Sequence, residues 1–187
     1  LLERYQKMYP ELTIEAVVNR SAFIERKILD NSIDIGLIEN QPEHPDICSR
    51  PFMQDELCAI VPVGHPLSCR KELALEEMAQ YPFLMREKGS AGREILDACF
   101  AVRQISVRPR MESSSTQAIV RNVAEGLGVA VLPYLLIKKD IEAQTVKQIP
   151  LKHPLQRSLN IIYHKSKYLT KNMKAFVKLC RESGKIT

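Results

Sequence analysis

The sequence predicts an α/β fold built as two similar lobes. Strand-like segments and helix-like segments follow each other along nearly all of the 187 residues. Such alternation favours strands joined by helical crossovers, and therefore a parallel sheet. One layout of strand, serine-containing loop, amphipathic helix, turn and strand also occurs twice, in residues 17–38 and 110–132. Two similar halves predict two similar lobes.

Strands are predicted where apolar and polar residues alternate, or where short apolar runs are rich in β-branched residues. The clearest examples are LTIEAVV, ELCAIV, GVAVLP and SLNIIYH. In chain order, the predicted strands are residues 12–18, 33–38, 56–61, 82–86, 107–111, 128–133, 146–149 and 158–164. The turn GHPL at residues 64–67 is expected to end the third of these strands, with His65 as a turn residue.

Helices are predicted where apolar residues recur at intervals of three and four. In chain order, the predicted helices are residues 1–9, 22–29, 75–80, 91–100, 116–125, 134–138 and 170–181. Pro10 ends the first helix, and Ser21 is expected to cap the second. Ser114 and Gln117 have the spacing of a capping box at the start of the fifth helix, and Gly126 follows its end.

The five cysteines are odd in number and form no C-x-x-C motif. This pattern disfavours a disulfide framework or a zinc site and indicates a reducing, cytoplasmic environment. The apolar runs are only as long as strands, so neither a membrane-spanning helix nor a signal peptide is predicted. The net charge of +5 comes from Lys and Arg spread along the chain, which favours a solvated basic surface over a nucleic-acid footprint.

The motifs that would carry catalysis are missing from the pattern. In EGLGVAV the order is helix, glycines, strand, whereas a dinucleotide fingerprint needs strand, glycines, helix. The four histidines are scattered without metal-ligand spacing, and no pair of carboxylates shares a loop at a strand end. We therefore expect no catalytic residue, no metal and no cofactor, which favours a binding domain over an enzyme.

Polar loops at predicted helix starts are the best candidates for a binding site. In open α/β sheets, ligands bind beyond the carboxyl ends of strands, where helix N-termini offer free N–H groups to anions. Residues 19–21, 88–90 and 113–115 are such loops. Each serine alone is better explained as a helix cap, but together the loops favour binding of an oxyanion or a small acid.

Several segments together resemble the effector-binding domain of LysR-type transcriptional regulators. They are YPELTIEAVV with SIDIGLI, ELCAIVPVGHPL, LALEEMAQYPFLMREKGSAGRE, VRNVAEGLGVAVLP, and the C-terminal strand and helix. The resemblance covers nearly the whole chain, in order. No single segment is diagnostic of the family, but the ordered set is fairly specific.

The resemblance implies a type 2 periplasmic-binding-protein-like fold, with two Rossmann-like lobes joined by two crossing strands. Residues 1–62 plus 157–187 would form lobe one, and residues 63–156 lobe two. The family's N-terminal winged helix-turn-helix, its linker helix and the first strand of lobe one are expected to be absent from this chain. The partners implied are a second copy in a homodimer, or further copies in a tetramer at full length, and DNA only through the absent domain, with no membrane.

The resemblance also implies that a small metabolite binds in a cleft between the lobes. The expected ligand-binding residues are Asn19, Arg20, Ser21, Pro62, Arg86, Gly89, Ser90, Ser113 and Ser114. The basic composition favours an anionic effector, and the resemblance to the family implies an inorganic sulfur anion or a cysteine precursor as examples. Two alternatives stay open: a periplasmic solute-binding protein of a transporter, and an enzyme on the same lobed fold.

Overall fold

The computed structural model describes residues 1–184. Its helices are α1 (Leu2–Met8), α2 (Ser21–Leu29), α3 (Leu75–Met78), α4 (Ala91–Val102), α5 (Thr116–Ala124), α6 (Tyr134–Glu142) and α7 (Lys171–Gly184). Its strands are β1 (Gly36–Glu39), β2 (Ile47–Val61), β3 (Phe83–Arg86), β4 (Met111–Ser113), β5 (Val129–Pro133), β6 (Lys147–Ile149) and β7 (Leu155–His164). A short 3-10 helix, Pro66–Cys69, follows β2. No helix within residues 1–184 is both long and apolar enough to span a membrane.

The chain forms two compact units. Unit 1 contains Leu1–Gln54 and the chain from Ser158 onward, and unit 2 contains Asp55–Arg157. The chain passes from one unit to the other within β2 and again within β7. The predicted lobe boundaries were 62/63 and 156/157, so contacts place the first division eight residues earlier and the second one residue later.

Unit 1 packs helices against both faces of a small sheet. β1 pairs antiparallel with β7, with Gly36 opposite Ile162. Ile162 belongs to an isoleucine-rich cluster with Ile24 and Ile28 of α2, whereas the neighbouring Ile161 packs with Val177 of α7. Successive residues of a strand face opposite sides of the sheet, so these two isoleucines anchor one helix each.

Unit 2 contains a mixed sheet with the strand order β6-β2-β5-β3-β4. β3 runs parallel to β4 and to β5, as the alternation of strand and helix predicts. β2 runs antiparallel to both β5 and β6, so the expectation of a wholly parallel sheet is wrong. Strand–helix alternation predicts the direction of strands joined by helical crossovers, but β2 enters unit 2 directly from unit 1.

The sheet of unit 2 is covered by helices on both faces. Alternate residues of its strands separate into two clusters, so that Val129 and Val131 of β5 lie in one and Ala130 and Leu132 in the other. Leu96 and Phe100 of α4 complete the first cluster, and residues of α5 and α6 complete the second. Burial on both faces explains why GVAVLP is a continuous apolar run. This is the Rossmann-like α/β architecture expected from the sequence.

Two predicted strands differ from the structure: one does not form, and the other begins later than predicted. Residues 12–18 form no strand and have no ladder partner in the part of the chain that the structure describes, and Val18 is 96% exposed. Alternation indicates a backbone suited to pairing, but a strand also needs a neighbour. Residues 107–110 are irregular as well, and the strand begins only at Met111.

The boundaries of several other helices and strands differ by a few residues from the predicted ones. The strand predicted at 33–38 is β1, Gly36–Glu39, and the strand predicted at 56–61 is only the last part of β2. The helix predicted at 134–138 is longer, as α6. Gly184, expected just beyond the last helix, is its final residue.

The glycines after α5 are explained by backbone geometry. Gly126 has a φ of +80°, which confirms the predicted left-handed helix end. A Cβ atom at Gly128 would overlap the carbonyl oxygen of Pro82, so only glycine fits where the chain enters β5. The two glycines therefore serve a turn and a close packing contact, as the order helix, glycines, strand indicates.

Candidate functional site

Two strands of unit 2 end side by side in a polar cluster. Arg86, the last residue of β3, is paired in register with Ser113, the last residue of β4. The Glu87 N–H also donates to the Ser113 carbonyl at 3.3 Å. Because β3 and β4 are parallel, the helices that follow them, α4 and α5, begin at the same edge of the sheet. We call Arg86, Glu87, Ser90, Ser113 and Thr116 the strand-end cluster.

Arg86 provides the positive charge of the strand-end cluster. Its side chain is 21% exposed, and its Nε donates to the Glu87 carboxylate at 3.0 Å. Its Nη1 donates to the Thr116 hydroxyl, also at 3.0 Å, in the first turn of α5. A guanidinium carries five N–H donors in a plane that suits carboxylates and phosphates. Arg86 is thus held in place at a helix start and can still offer donors to an anion.

Arg93 holds the ends of β3 and β4 together from the first turns of α4. Its Nη1 donates to the Arg86 carbonyl at 2.8 Å and to Glu112 at 3.2 Å. Its Nε donates to Asp97, one turn further along α4. Burial opposes the charged form, but the hydrogen bonds and charges of Asp97 and Glu112 outweigh burial and raise the pKa of Arg93. The only sequence signal for this role is the i, i+4 spacing of Arg93 and Asp97.

Ser90 occupies the N-cap position of α4, as predicted, but makes no capping hydrogen bond. Its Oγ is buried and has no hydrogen-bond partner within residues 1–184. Gly89 before it has a φ of +83°, a conformation that favours glycine. A buried hydroxyl without a partner is costly, and Ser90 does not make the capping bond expected of it.

The serines before α5 do not have the capping roles that the sequence predicts. Ser115 is the N-cap, and its Oγ accepts from the Ala118 N–H at 3.2 Å. The Ser113 Oγ accepts from the Ser115 N–H at 3.1 Å. Ser114 is exposed, and the capping box predicted for it is wrong. A cap accepts from an N–H in the first turn, and α5 begins at Thr116 as predicted, so the N-cap position falls on Ser115 and not on Ser114.

The remaining predicted site residues lie elsewhere. Asn19, Arg20 and Ser21 belong to unit 1, where Arg20 is the N-cap of α2 and Ser21 is its first helical residue. Ser21 is therefore not the cap, because the helix begins one residue earlier than predicted. Asn19 Oδ1 accepts from the Arg20 N–H at 2.9 Å, a local turn.

Pro62 is not grouped with the strand-end cluster. It follows β2, which runs antiparallel to β5, so it lies at the opposite edge of the sheet of unit 2 from Arg86 and Ser113. Its carbonyl accepts from the His65 N–H at 3.1 Å. His65 Nδ1 in turn caps the 3-10 helix by accepting from the Leu67 N–H, which confirms His65 as a turn residue.

A buried ion pair that sequence reasoning missed lies near the start of α6. Asp55 and Arg157 have side chains 1% and 2% exposed, and Arg157 Nη2 lies 2.6 Å from the Asp55 carboxylate. Asp55 Oδ1 also accepts from the Leu135 N–H in the first turn of α6 at 3.1 Å. The N-terminus of α6 therefore already has a carboxylate from the protein, whereas those of α4 and α5 face the strand-end cluster.

The described residues contain no arrangement that would hold a metal. Within residues 1–184, no three His, Cys, Asp or Glu side chains group as ligands. All five cysteines are free thiols. Burial raises the pKa of Cys58 to about 12 and that of Cys180 to about 11, which keeps both protonated at neutral pH.

An α/β ligand-binding domain is the class of protein that these two units and the strand-end cluster define. The family model "LysR substrate binding domain" matches residues 1–185. The chain belongs to this family, and the resemblance drawn from the sequence is confirmed.

Curated relatives agree with the family. The chain is 33% identical over 181 residues to the uncharacterized HTH-type transcriptional regulator YeiE of Escherichia coli K12, covering 96% of the chain and 61% of that protein. It is 29% identical to the HTH-type transcriptional regulator CysL of Bacillus subtilis, covering 98% of the chain and 62% of CysL. The chain therefore spans about three fifths of the length of these relatives.

Solved structures agree on the fold. The regulatory domain of Synechocystis CcmR in complex with 2-PG superposes with a TM-score of 0.88 at 24% identity, covering 98% of the chain and 89% of CcmR. The effector-binding domain of QuiR in complex with shikimate gives 0.82 at 21% identity, covering 98% and 88% of the two chains. Likeness at this level of identity establishes the type 2 periplasmic-binding-protein-like fold that the sequence predicts.

Proposed function

We propose that this domain senses a small anionic metabolite, and that the strand-end cluster provides part of the anion contact. The observation that carries the proposal is that Arg86, which bonds to Thr116 at the start of α5, lies at the same sheet edge as the start of α4, which has no side-chain cap. Backbone N–H groups and a guanidinium both favour negative charge. Ser90 adds a buried hydroxyl that has no protein partner among the described residues.

Two structural neighbours support an acidic effector. CcmR was solved with 2-PG and QuiR with shikimate, which carries a carboxylate. The identity of the effector here, including the sulfur anion suggested by the family resemblance, stays a prediction. The predicted roles of Asn19, Arg20, Ser21, Pro62 and Ser114 stay predictions as well.

The domain would be the sensing part of a DNA-binding transcriptional regulator. YeiE and CysL are both named as HTH-type regulators, which supports this role and does not favour the solute-binding or enzyme alternatives. In this proposal the full-length protein acts in the cytoplasm as a homodimer or tetramer. It would bind DNA through a helix-turn-helix of the kind for which YeiE and CysL are named.

A ligand screen by thermal unfolding tests the proposal. We expect 2-PG, shikimate or sulfate to raise the Tm relative to chloride at the same ionic strength, because ligand binding to the folded state stabilises it. At about one hundred times Kd the gain is about 2.7 kcal/mol. For a chain of this length that gain corresponds to roughly 5–10 °C.

The Arg86→Gln variant locates the anion contact. It should lose most of the ligand-induced rise in Tm. Arg103→Gln is the matched control, because Arg103 is similarly buried, belongs to the same unit and also pairs with one carboxylate, that of Glu76. If Arg103→Gln loses the rise equally, or if no anion exceeds chloride, the proposed anion contact is wrong.

A further inference from the structure

A second group of positively charged side chains lies beside β6, on the opposite side of the sheet of unit 2 from β4. Leu73 forms a parallel bridge with Leu151, just after β6. The Leu73 N–H donates to the Pro150 carbonyl at 2.9 Å, and the Lys152 N–H donates to the Leu73 carbonyl at 2.8 Å. Both leucines are buried in the core. The bridge therefore brings the segments that carry Lys71 and Lys152 together, and both residues line one pocket at the surface.

These segments line a cavity of about 410 Å³, which we call the outer cavity. Its lining includes the side chains of Cys69, Arg70, Lys71, Glu72, Glu77 and Lys152. The volume is large enough for a small ligand, and the space is open to solvent. A ligand bound there would be held mainly by the charges of the lining residues.

The charges of the outer cavity favour an anion. Glu77 is already engaged, because it accepts from the Ala74 N–H at 3.0 Å and pairs with Arg70, and these hydrogen bonds lower the pKa of its carboxyl group. Within residues 1–184, neither Lys71 nor Lys152 forms an ion pair. Glu72 is exposed and is the one lining carboxylate without such engagement. Lys71 and part of the Arg70 guanidinium thus remain for a ligand, together with Lys152, whose charge also acts on Glu77.

The outer cavity is separate from the strand-end cluster. Arg86 lies on β3, and the path to Leu73 crosses β5, β2 and β6. Neighbouring strands lie about 4.8 Å apart, so four such steps separate the two places by about 19 Å. One small ligand could not occupy both, and the outer cavity needs its own explanation.

We propose that the outer cavity is a second ligand site, which binds a phosphate group. A guanidinium supplies directed donors for phosphate oxygens, and the two lysines supply point charges. The phosphate group could be inorganic phosphate or part of a small phosphorylated metabolite. The proposal does not depend on the effector site at Arg86.

Titration of the ¹⁵N-labelled chain with inorganic phosphate tests the site directly. We expect amide shifts at residues 70–74 and at Lys152 that saturate and exceed those from chloride at equal ionic strength. A parallel titration with glycerol 3-phosphate separates the two sources of phosphate, since tighter binding of that compound indicates a metabolite. Shifts at Arg86 and Ser90 would report the effector site independently.

Variants that remove charged side chains test whether phosphate binds in the outer cavity. The double change Lys71→Gln and Lys152→Gln should weaken phosphate binding about tenfold, which corresponds to about 1.4 kcal/mol for the two lost charge-assisted contacts together. Lys138→Gln with Lys139→Gln removes the same charge from exposed positions of α6 and should leave binding unchanged. Glu72→Gln should tighten binding by removing a repelling carboxylate.

Two outcomes would overturn the proposal. One is an equal loss of phosphate binding in the two double variants, which would indicate a response to net charge. The other is the appearance of phosphate-specific shifts only at Arg86 and Ser90, which would leave the effector site in place and the outer cavity empty.

Discussion

Three consecutive serines precede α5, and their hydroxyl groups have different surroundings. Ser113 accepts from a backbone N–H within the turn, Ser115 caps the helix, and Ser114 is exposed. Sequence spacing identifies the run as a helix start, but it cannot say which serine has the extended backbone of a cap. That choice depends on where β4 ends, because Ser113 is still paired with Arg86.

Replacing Ser115 with alanine tests whether Ser115 is the cap of α5. We expect Ser115→Ala to lower the free energy of unfolding by about 0.5–2 kcal/mol, the usual effect of losing an N-cap. Ser114→Ala should change it by less than about 0.5 kcal/mol, because exposed positions without contacts tolerate substitution. Urea unfolding followed by circular dichroism measures both, and a larger loss for Ser114→Ala would contradict the assignment.

Ser90 and Arg86 show what could be predicted of the site. Their positions at a helix start and at the end of a strand follow from local patterns, and the structure brings them into one cluster. The orphaned hydroxyl of Ser90 could not be predicted, because burial depends on how α4 packs. Pro62 was predicted to belong to the site, but it lies away from the cluster because β2 runs antiparallel to β5.

At the scale of helices and strands, the helices were predicted better than the strands. A helix is defined by spacing within one segment, so α4, α5 and α7 match their predictions closely. A strand depends on a partner that is distant in sequence, and for that reason residues 12–18 alternate correctly yet form no ladder in the described chain. The antiparallel direction of β2 is non-local in the same way.

Arg93 joins α4 to the ends of β3 and β4, so its replacement should loosen three elements at once. Arg93→Lys keeps the charge but cannot reach Arg86, Asp97 and Glu112 together. We expect a loss of about 1–3 kcal/mol in the free energy of unfolding, from one unsatisfied carbonyl and weakened ion pairs.

Arg121→Lys is the control for this prediction, because Arg121 is exposed on α5. Its effect on unfolding by urea should be below about 0.5 kcal/mol. Equal effects of the two lysine substitutions would show that Arg93 contributes only as an ordinary surface charge.

At the scale of the whole molecule, Asp55 and Arg157 occupy the two places where the chain passes between its units. Asp55 is the first residue of unit 2, and Arg157 is the last. Their side chains form an ion pair that is almost completely buried. Neither residue has a sequence signal, because the two partners are 102 residues apart and no local pattern connects them.

Removing either partner of this pair should strongly destabilise the fold. We expect Asp55→Ala to lower the free energy of unfolding by about 3–5 kcal/mol, because the Arg157 charge loses its buried partner. The double variant with Arg157→Met should cost clearly less than the sum of the two single changes. A double-mutant cycle by chemical denaturation measures this coupling, and additive costs would contradict it.

The division of the chain also bears on the order in which the protein folds as it is synthesised. Unit 2 is one continuous stretch, whereas unit 1 needs residues from both ends, because β1 pairs with β7. Translation delivers the N-terminal residues first, and a domain folds only when its parts are available. Unit 2 can therefore fold on the ribosome while the first 54 residues still wait for their partner strand. During that interval the apolar residues of α2 are exposed to chaperones and to aggregation.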